Sequence, residues 1–223
     1  MTRQEPSAAA PVESLLEAEP PVAQQVFGSA LPLIRRYTAD LADRGVVLGL
    51  IGPREPARLW SRHVLNCGLL ASAVPPGSTV ADVGSGAGLP GLVLAAARPD
   101  LVVTLIEPMQ RRTDWLIQEA ERLGLASVTV LRARAEDVAA GTRFDVVTAR
   151  AVGALTTLLP LTAPLARPGG RLLLMKGATA ADELAAAAGV VRRLGLTEVG
   201  VNVLGTGMAL EPTRVVTATV RTT

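Results

Sequence analysis

Residues 80–91 read VADVGSGAGLPG, an apolar strand followed by an acidic residue and three alternate glycines. Gly84, Gly86 and Gly88 let the backbone turn tightly and approach a ligand where a Cβ would clash. The helix expected directly afterwards offers free N–H groups at its N-terminus. The next apolar run, LVVTLIE, ends on Glu107, about where a Rossmann-like unit carries the carboxylate that meets a ribose. Strand, glycine turn, helix, strand and acid in this order predict a parallel α/β sheet with a nucleotide-like cofactor beyond its strand ends.

Two cofactors compete on spacing. Gly86, Gly88 and Gly91 satisfy the G-x-G-x-x-G dinucleotide fingerprint, whereas Asp82, Gly84, Gly86 and Gly88 satisfy the D-x-G-x-G-x-G arrangement of S-adenosylmethionine-dependent methyltransferases. Asp82 favours the second, because a strand-end carboxylate suits the ammonium of a methionine moiety and repels a pyrophosphate. Pro90 lies inside the competing fingerprint and withdraws an N–H that phosphate recognition could use. A plain strand-to-helix turn is the structural alternative.

The 223 residues suffice for one α/β domain with a substantial core and leave no room for the second domain of a dinucleotide dehydrogenase. No apolar run approaches bilayer length and no signal-peptide pattern opens the chain, so a cytoplasmic protein without a membrane partner is expected. Cys67 is the one cysteine and cannot form an internal disulfide; a buried helical thiol is the expected role. The net charge of +2 comes almost wholly from arginine, Lys176 being the single lysine, and permits a nucleic-acid partner without proving one.

Residues 1–11 lack periodicity and are expected to be disordered, and residues 12–77 should form a helical cap of short amphipathic helices and one longer helix over 57–74. Residues 78–223 alternate between strands and helices. STVADVG, LVVTLIE, SVTVLRAR, FDVVTAR and GRLLLMKG predict five parallel strands with helices on both faces, and LTEVGVNVLG and RVVTATV predict an antiparallel pair at one edge, a seven-stranded Rossmann-like methyltransferase sheet.

The chain resembles the glucose-inhibited division protein B family, the RsmG type of small-subunit ribosomal RNA guanine-N7 methyltransferase. The resemblance rests on Arg62, His63 and Asn66 in RHVLN, on DVGSGAGLPG at 82–91, on Arg134, Ala135 and Glu136 in RARAED, on Ala149, Arg150 and Ala151, and on Lys176 and Gly177. Glu107 stands where many members have Asp, and arginine replaces lysine at most basic positions. The resemblance implies a monomer that uses S-adenosylmethionine on 16S ribosomal RNA or the 30S subunit, near the decoding centre, with no DNA partner. It implies cofactor contacts from Asp82, Gly84, Gly86, Gly88, Leu89, Glu107, Ala135, Glu136 and Arg150. Glu107 would take the ribose hydroxyls, and Ala135 and Glu136 would meet the adenine. Arg62, His63, Arg134 and Lys176 would bind substrate.

Each of these residues also has a purely structural reading. Glu107 could pair with Arg111 or Arg112, Glu136 or Asp137 could cap a helix, Arg150 could be a surface arginine, and His63 a helix-cap histidine. The chemistry needs no catalytic acid or base. Exocyclic amino groups usually need an Asn/Asp-Pro-Pro-aromatic motif, where this chain has Thr148-Ala149-Arg150-Ala151, and cytosine C5 needs a cysteine nucleophile. Guanine N7 presents an unprotonated lone pair, so alignment alone can carry the transfer. Five scattered aromatics make no base-stacking platform, which leaves Arg35, Arg36, Arg54, Arg58, Arg62, Arg134 and Lys176 to grip phosphates. A small-molecule methyltransferase of this fold and a non-catalytic ribosome-assembly RNA-binding protein are the alternatives.

Overall fold

The computed structural model describes residues 16–138, 141–150 and 152–222; the expected disorder of 1–11 lies outside them. Seven strands form one sheet in the order β3-β2-β1-β4-β5-β7-β6. Strands β1 (Thr79–Val83), β2 (Val102–Ile106), β3 (Val128–Leu131), β4 (Phe144–Arg150) and β5 (Ala166–Lys176) run parallel. β7 (Thr213–Val220) returns antiparallel to β5, with β6 (Leu196–Leu204) outside it, as the sequence predicts. The chain order reverses between β1 and β4, so ligands are expected beyond the carboxyl ends of those strands.

Period-two alternation of apolar residues feeds two cores. Val80, Val103, Val146, Leu173 and Val215 face one cluster, while Ala81, Val147, Leu172, Leu174 and Val216 face the other. The second cluster is closed by α6 (Leu155–Thr162), α7 (Ala180–Ala186) and α8 (Ala188–Arg193). The first is closed by α1 (Val22–Phe27), α2 (Leu31–Arg44), α3 (Leu65–Leu70), α4 (Gly91–Ala97) and α5 (Gln110–Leu123). The N-terminal helices thus share the sheet's own core.

Pro32 in the first turn of α2 suits a helix start, and Leu31, Ile34, Thr38 and Leu41 give the helix a fully buried stripe. Each such Leu or Ile contributes about 1.5–3 kcal/mol on burial. α2 is clasped to α5 along their polar margins. Arg122 pairs with Asp40 and with the buried Glu119, and Arg44 lies over the Trp115 ring at 5.1 Å.

The run 57–74 is helical but not one regular helix. A 3₁₀ turn at Pro56–Arg58 passes into a π-helical turn, Trp60–Val64, before α3, and a second 3₁₀ turn at Ala71–Ala73 ends it. The wider turn carries Arg62 and His63, the two side chains that the resemblance singles out on this helix.

Candidate active site

The glycine turn between β1 and α4 is built as its residue types require. Gly84, Gly86 and Gly88 have φ of +72°, +55° and +99°. A Cβ on Gly84 would stand 2.8 Å from the Val152 side chain, and one on Gly88 would stand 2.4 Å from Leu92. Both Tyr37 Oη, at 3.0 Å, and Trp115 Nε1, at 2.9 Å, donate to the Ala87 carbonyl oxygen. Two buried aromatics, from α2 and α5, therefore hold the turn from the protein interior.

Asp82 lies deeper than a cofactor-facing carboxylate would. Its side chain is fully buried and off the cleft wall, and Oδ2 accepts the Gly91 N–H at 3.0 Å. Burial pushes its carboxyl up to about 7, and Oδ1 has no partner among the described residues. The first N–H of α4 is thus consumed by Asp82, and that of Leu92 by the Gly88 carbonyl. This corrects the expectation of free helix N–H groups at the ligand.

The turn forms one wall of a cleft of about 510 Å³, a volume typical of a small-molecule site. Gly84, Gly86 and Leu89 line it, and Leu50, Ile51 and Val152 add apolar surface. Glu107 lies on the wall although its side chain is almost entirely buried. Its Oε2 accepts the Gly86 N–H and its Oε1 the Met109 N–H, each at 3.0 Å. Arg112 Nη1 is 3.9 Å from Oε2, the ion-pair alternative in part. Two backbone donors fix the carboxylate, leaving its remaining lone pairs for hydroxyl donors.

Ala135 and Glu136 do not line the cleft. Ala135 is buried in the second core and Glu136 is exposed, both in the 3₁₀ turn Ala135–Asp137, while Pro108 and Met109 supply the wall beside Glu107.

Arg150, at the end of β4, lines this cleft and a second one of about 440 Å³. Arg62, Asn66, Lys176, Glu211, Thr213 and Arg214 also line the second cleft. Lys176 Nζ donates to the Gly153 carbonyl at 2.8 Å and lies 2.7 Å from Glu183, so its charge is largely engaged. Arg134 is exposed at the end of β3, with β2, β1 and β4 between it and Lys176. The four proposed substrate residues are therefore not one cluster.

Several of the other cations are also engaged within the chain. Arg35 pairs with Glu19 at 2.6 Å, Arg58 pairs with Glu55 at 2.5 Å, and Arg36 donates to the Arg122 carbonyl at 2.6 Å. Arg54 and Arg62 are exposed without an ion pair among the described residues.

His63 belongs to the first cleft. Its Nε2 is 2.5 Å from Glu55 Oε2, and its Nδ1 faces Arg150 Nη2. Burial and then the Arg150 charge lower its proton affinity, with Glu55 opposing. Arg58 holds Glu55 down to about 2, and burial raises the Cys67 thiol to about 11. Cys67 lies 3.5 Å from Arg150 Nη1 as a buried neutral thiol. Glu55, Tyr37, Trp115 and Arg214 were not legible as site residues, because no local motif marks a long-range hydrogen bond or strand register.

Among the described residues no group of three or more His, Cys, Asp or Glu side chains could hold a metal ion, and no helix is long and apolar enough to cross a membrane. The sequence model of the GidB family, described as rRNA small subunit methyltransferase G, matches residues 30–210. The chain is 54% identical over 206 residues to the ribosomal RNA small subunit methyltransferase G of Leifsonia xyli subsp. xyli, covering 92% of this chain and 98% of that one. It is 52% identical over 210 residues to the protein of the same name from Clavibacter sepedonicus, covering 94% and 99%. A SAM-dependent O-methyltransferase from Thermotoga maritima shares the fold, with a TM-score of 0.53 at 17% identity over 71% of this chain and 65% of that one. With its glycine turn, buried strand-end carboxylate and seven-stranded sheet, the chain belongs to the rRNA small subunit methyltransferase G family.

Proposed function

We propose that the protein transfers a methyl group from S-adenosylmethionine to N7 of a guanine in 16S ribosomal RNA, with the first cleft holding the cofactor and the second admitting the target nucleotide. One observation carries the division of labour: Arg150 stands on the wall shared by both clefts, at the carboxyl end of β4. The cofactor fits the residues present. Glu107, anchored by two N–H groups, offers acceptors for a ribose diol, and Gly84 and Gly86, both at positive φ, bring bare backbone onto the cleft wall. Leu89 supplies the neighbouring wall. Asp82 supports the turn from beneath.

S-adenosylmethionine supplies an electrophilic methyl on a sulfonium sulfur. The chain's own contribution is to align the acceptor. N7 attacks through a lone pair and releases no proton in the transfer, so proximity and orientation suffice. The second cleft carries Arg62, Arg150, Lys176 and Arg214 against one acid, Glu211, a balance suited to phosphates. Lys176 then acts mainly as an anchor for the 153 and 183 segments, while Arg62 and Arg214 are the better phosphate contacts. We place this activity in the cytoplasm, with the protein acting as a monomer on RNA.

The test is methyl transfer from labelled cofactor to 30S subunits lacking the modification, compared with naked ribosomal RNA, followed by mass mapping. Label on a single guanine as N7-methylguanine is expected. Cofactor binding without RNA label would point to a small-molecule acceptor.

A further inference from the structure

We propose that Glu55 is a positioning residue for methyl transfer: by accepting the His63 Nε2–H it leaves His63 Nδ1 as a lone pair that holds the Arg150 guanidinium on the wall between the two clefts. The assignment follows from donor chemistry. A guanidinium can only donate, so the Nδ1 facing Arg150 Nη2 must be unprotonated. The one proton of a neutral imidazole then sits on Nε2, directed at Glu55 Oε2 at 2.5 Å. Glu55 is itself fixed, because Arg58 Nη2 donates to its Oε1 at 2.5 Å. Arg150 is completed by the Arg62 carbonyl at 3.4 Å and Cys67 Sγ at 3.5 Å. The opposite tautomer would set N–H against N–H at Arg150 and a bare nitrogen against a carboxylate at Glu55.

A protonated imidazole would donate from both nitrogens and expel Arg150. The charged and titratable groups that act on this pair come from each surrounding element. They are Glu55 and Arg58 ahead of the π-helical turn, Arg62 on it, Cys67 on α3, Arg150 on β4 and Asp82 on β1. Burial, Arg150 and Arg62 disfavour the proton, and Glu55 favours it. The neutral imidazole therefore persists below its ordinary titration range. Because the folded pKa is lowered from 6.5, the unfolded chain takes the proton first. Stability from this group is complete above 6.5 and declines as pH falls toward the folded value.

The proposal rests on the two-cleft reading for its functional consequence, whereas the tautomer can be read on the protein alone. His63 is the only histidine in the chain, so its ¹⁵N imidazole signals need no assignment by mutation. Nitrogen–carbon-bound-proton correlation spectra of the full chain at neutral pH should show Nε2 protonated and Nδ1 bare. In Glu55→Gln the His63 titration should move to lower pH, while the amide oxygen still accepts the Nε2–H and turnover stays well above that of Glu55→Ala. Glu55→Ala should keep the cofactor Kd within about twofold and lose roughly ten- to a hundredfold in kcat on 30S subunits, the scale of a misplaced site group. An Nδ1–H tautomer or a charged imidazole at neutral pH would overturn the proposal. So would full kcat in Glu55→Ala, or a kcat loss of the same size in Glu55→Gln. Should Glu55→Ala fail to fold, the tautomer and the Glu55→Gln kcat decide alone. If the spectra fit and Glu55→Ala is inactive on RNA only because the wild type is too, the two-cleft reading fails and the tautomer stands.

Discussion

The two clefts that meet at Arg150 are built by different means. In the first, the wall is fixed by backbone or by buried partners: Glu107 by the N–H groups of Gly86 and Met109, and the glycine turn from the interior by Tyr37 and Trp115 on the Ala87 carbonyl. In the second, the charges stand on long side chains at strand ends and on the π-helical turn, and only Lys176 is pinned by an ion pair among the described residues. A small cofactor must be bound in one pose by a preorganised wall, because ordering the wall on binding would subtract from affinity. A folded RNA brings its own shape and phosphate spacing. Mobile cations can grip it, at the cost of strong salt dependence.

If that contrast is right, damage to the first cleft should appear in folding and cofactor affinity, and should be large. Gly91→Ala is the severest case. Its Cβ would fall 2.2 Å from Leu105 Cδ2 and 2.7 Å from Asp82 Oδ2, inside the packed joint between β1, β2 and α4. A loss of about 1–3 kcal/mol or more in stability is expected, with cofactor binding lost alongside, as read by thermal melting and calorimetry. Unchanged melting would mean that the joint is soft and the wall is not preorganised. Glu107→Gln comes next. One of its two backbone-accepting oxygens becomes an amide donor facing an N–H, and the charge is lost, so cofactor affinity should fall by about 1.5–3 kcal/mol. RNA binding without cofactor should barely change.

The first cleft is the one that sequence reasoning reaches. Its determinants are local: glycines at fixed spacing, an acid at the end of the next strand, and alternating apolar residues that fix which strands are buried. The same reasoning leaves the depth of Asp82 open, because a carboxylate two residues before the turn can point outward or beneath it, and only the packing of α4 on β1 decides. It reaches the second cleft only in part, through Arg62, Arg150 and Lys176, and misses Arg214. Arg214 enters because β7 runs antiparallel to β5 in a register that sets it opposite Lys176, and nothing in RVVTATV encodes that register. Arg35 and Arg36 look free in sequence because their partners Glu19 and Arg122 are chosen by tertiary contact, whereas Arg58 pairs with Glu55 only three residues earlier. Regular helix periodicity over 57–74 likewise hides the π-helical turn that aims Arg62 and His63.

Tyr37→Phe tests whether the N-terminal helices belong to the cofactor wall or merely cover it. The ring stays packed, and the Ala87 carbonyl keeps Trp115 as a donor, so only one buried hydrogen bond disappears. A stability loss of about 1 kcal/mol is expected, together with a few-fold weaker cofactor binding. Loss of stability with unaltered cofactor affinity would make α2 a cover alone.

Arg214→Ala should give the smallest effect and the most telling one. Its side chain lines only the second cleft, so cofactor affinity and melting temperature should match the wild type. Binding to 30S subunits should weaken a few-fold, and the slope of log affinity against log salt should become shallower by roughly one contact. The slope is the discriminating quantity. A phosphate contact releases counterions and changes it, whereas an arginine that contributes only packing would shift affinity at every salt concentration alike. Should the slope be unaltered while cofactor binding weakens, the two clefts would be one site, and the division at Arg150 would have to be abandoned.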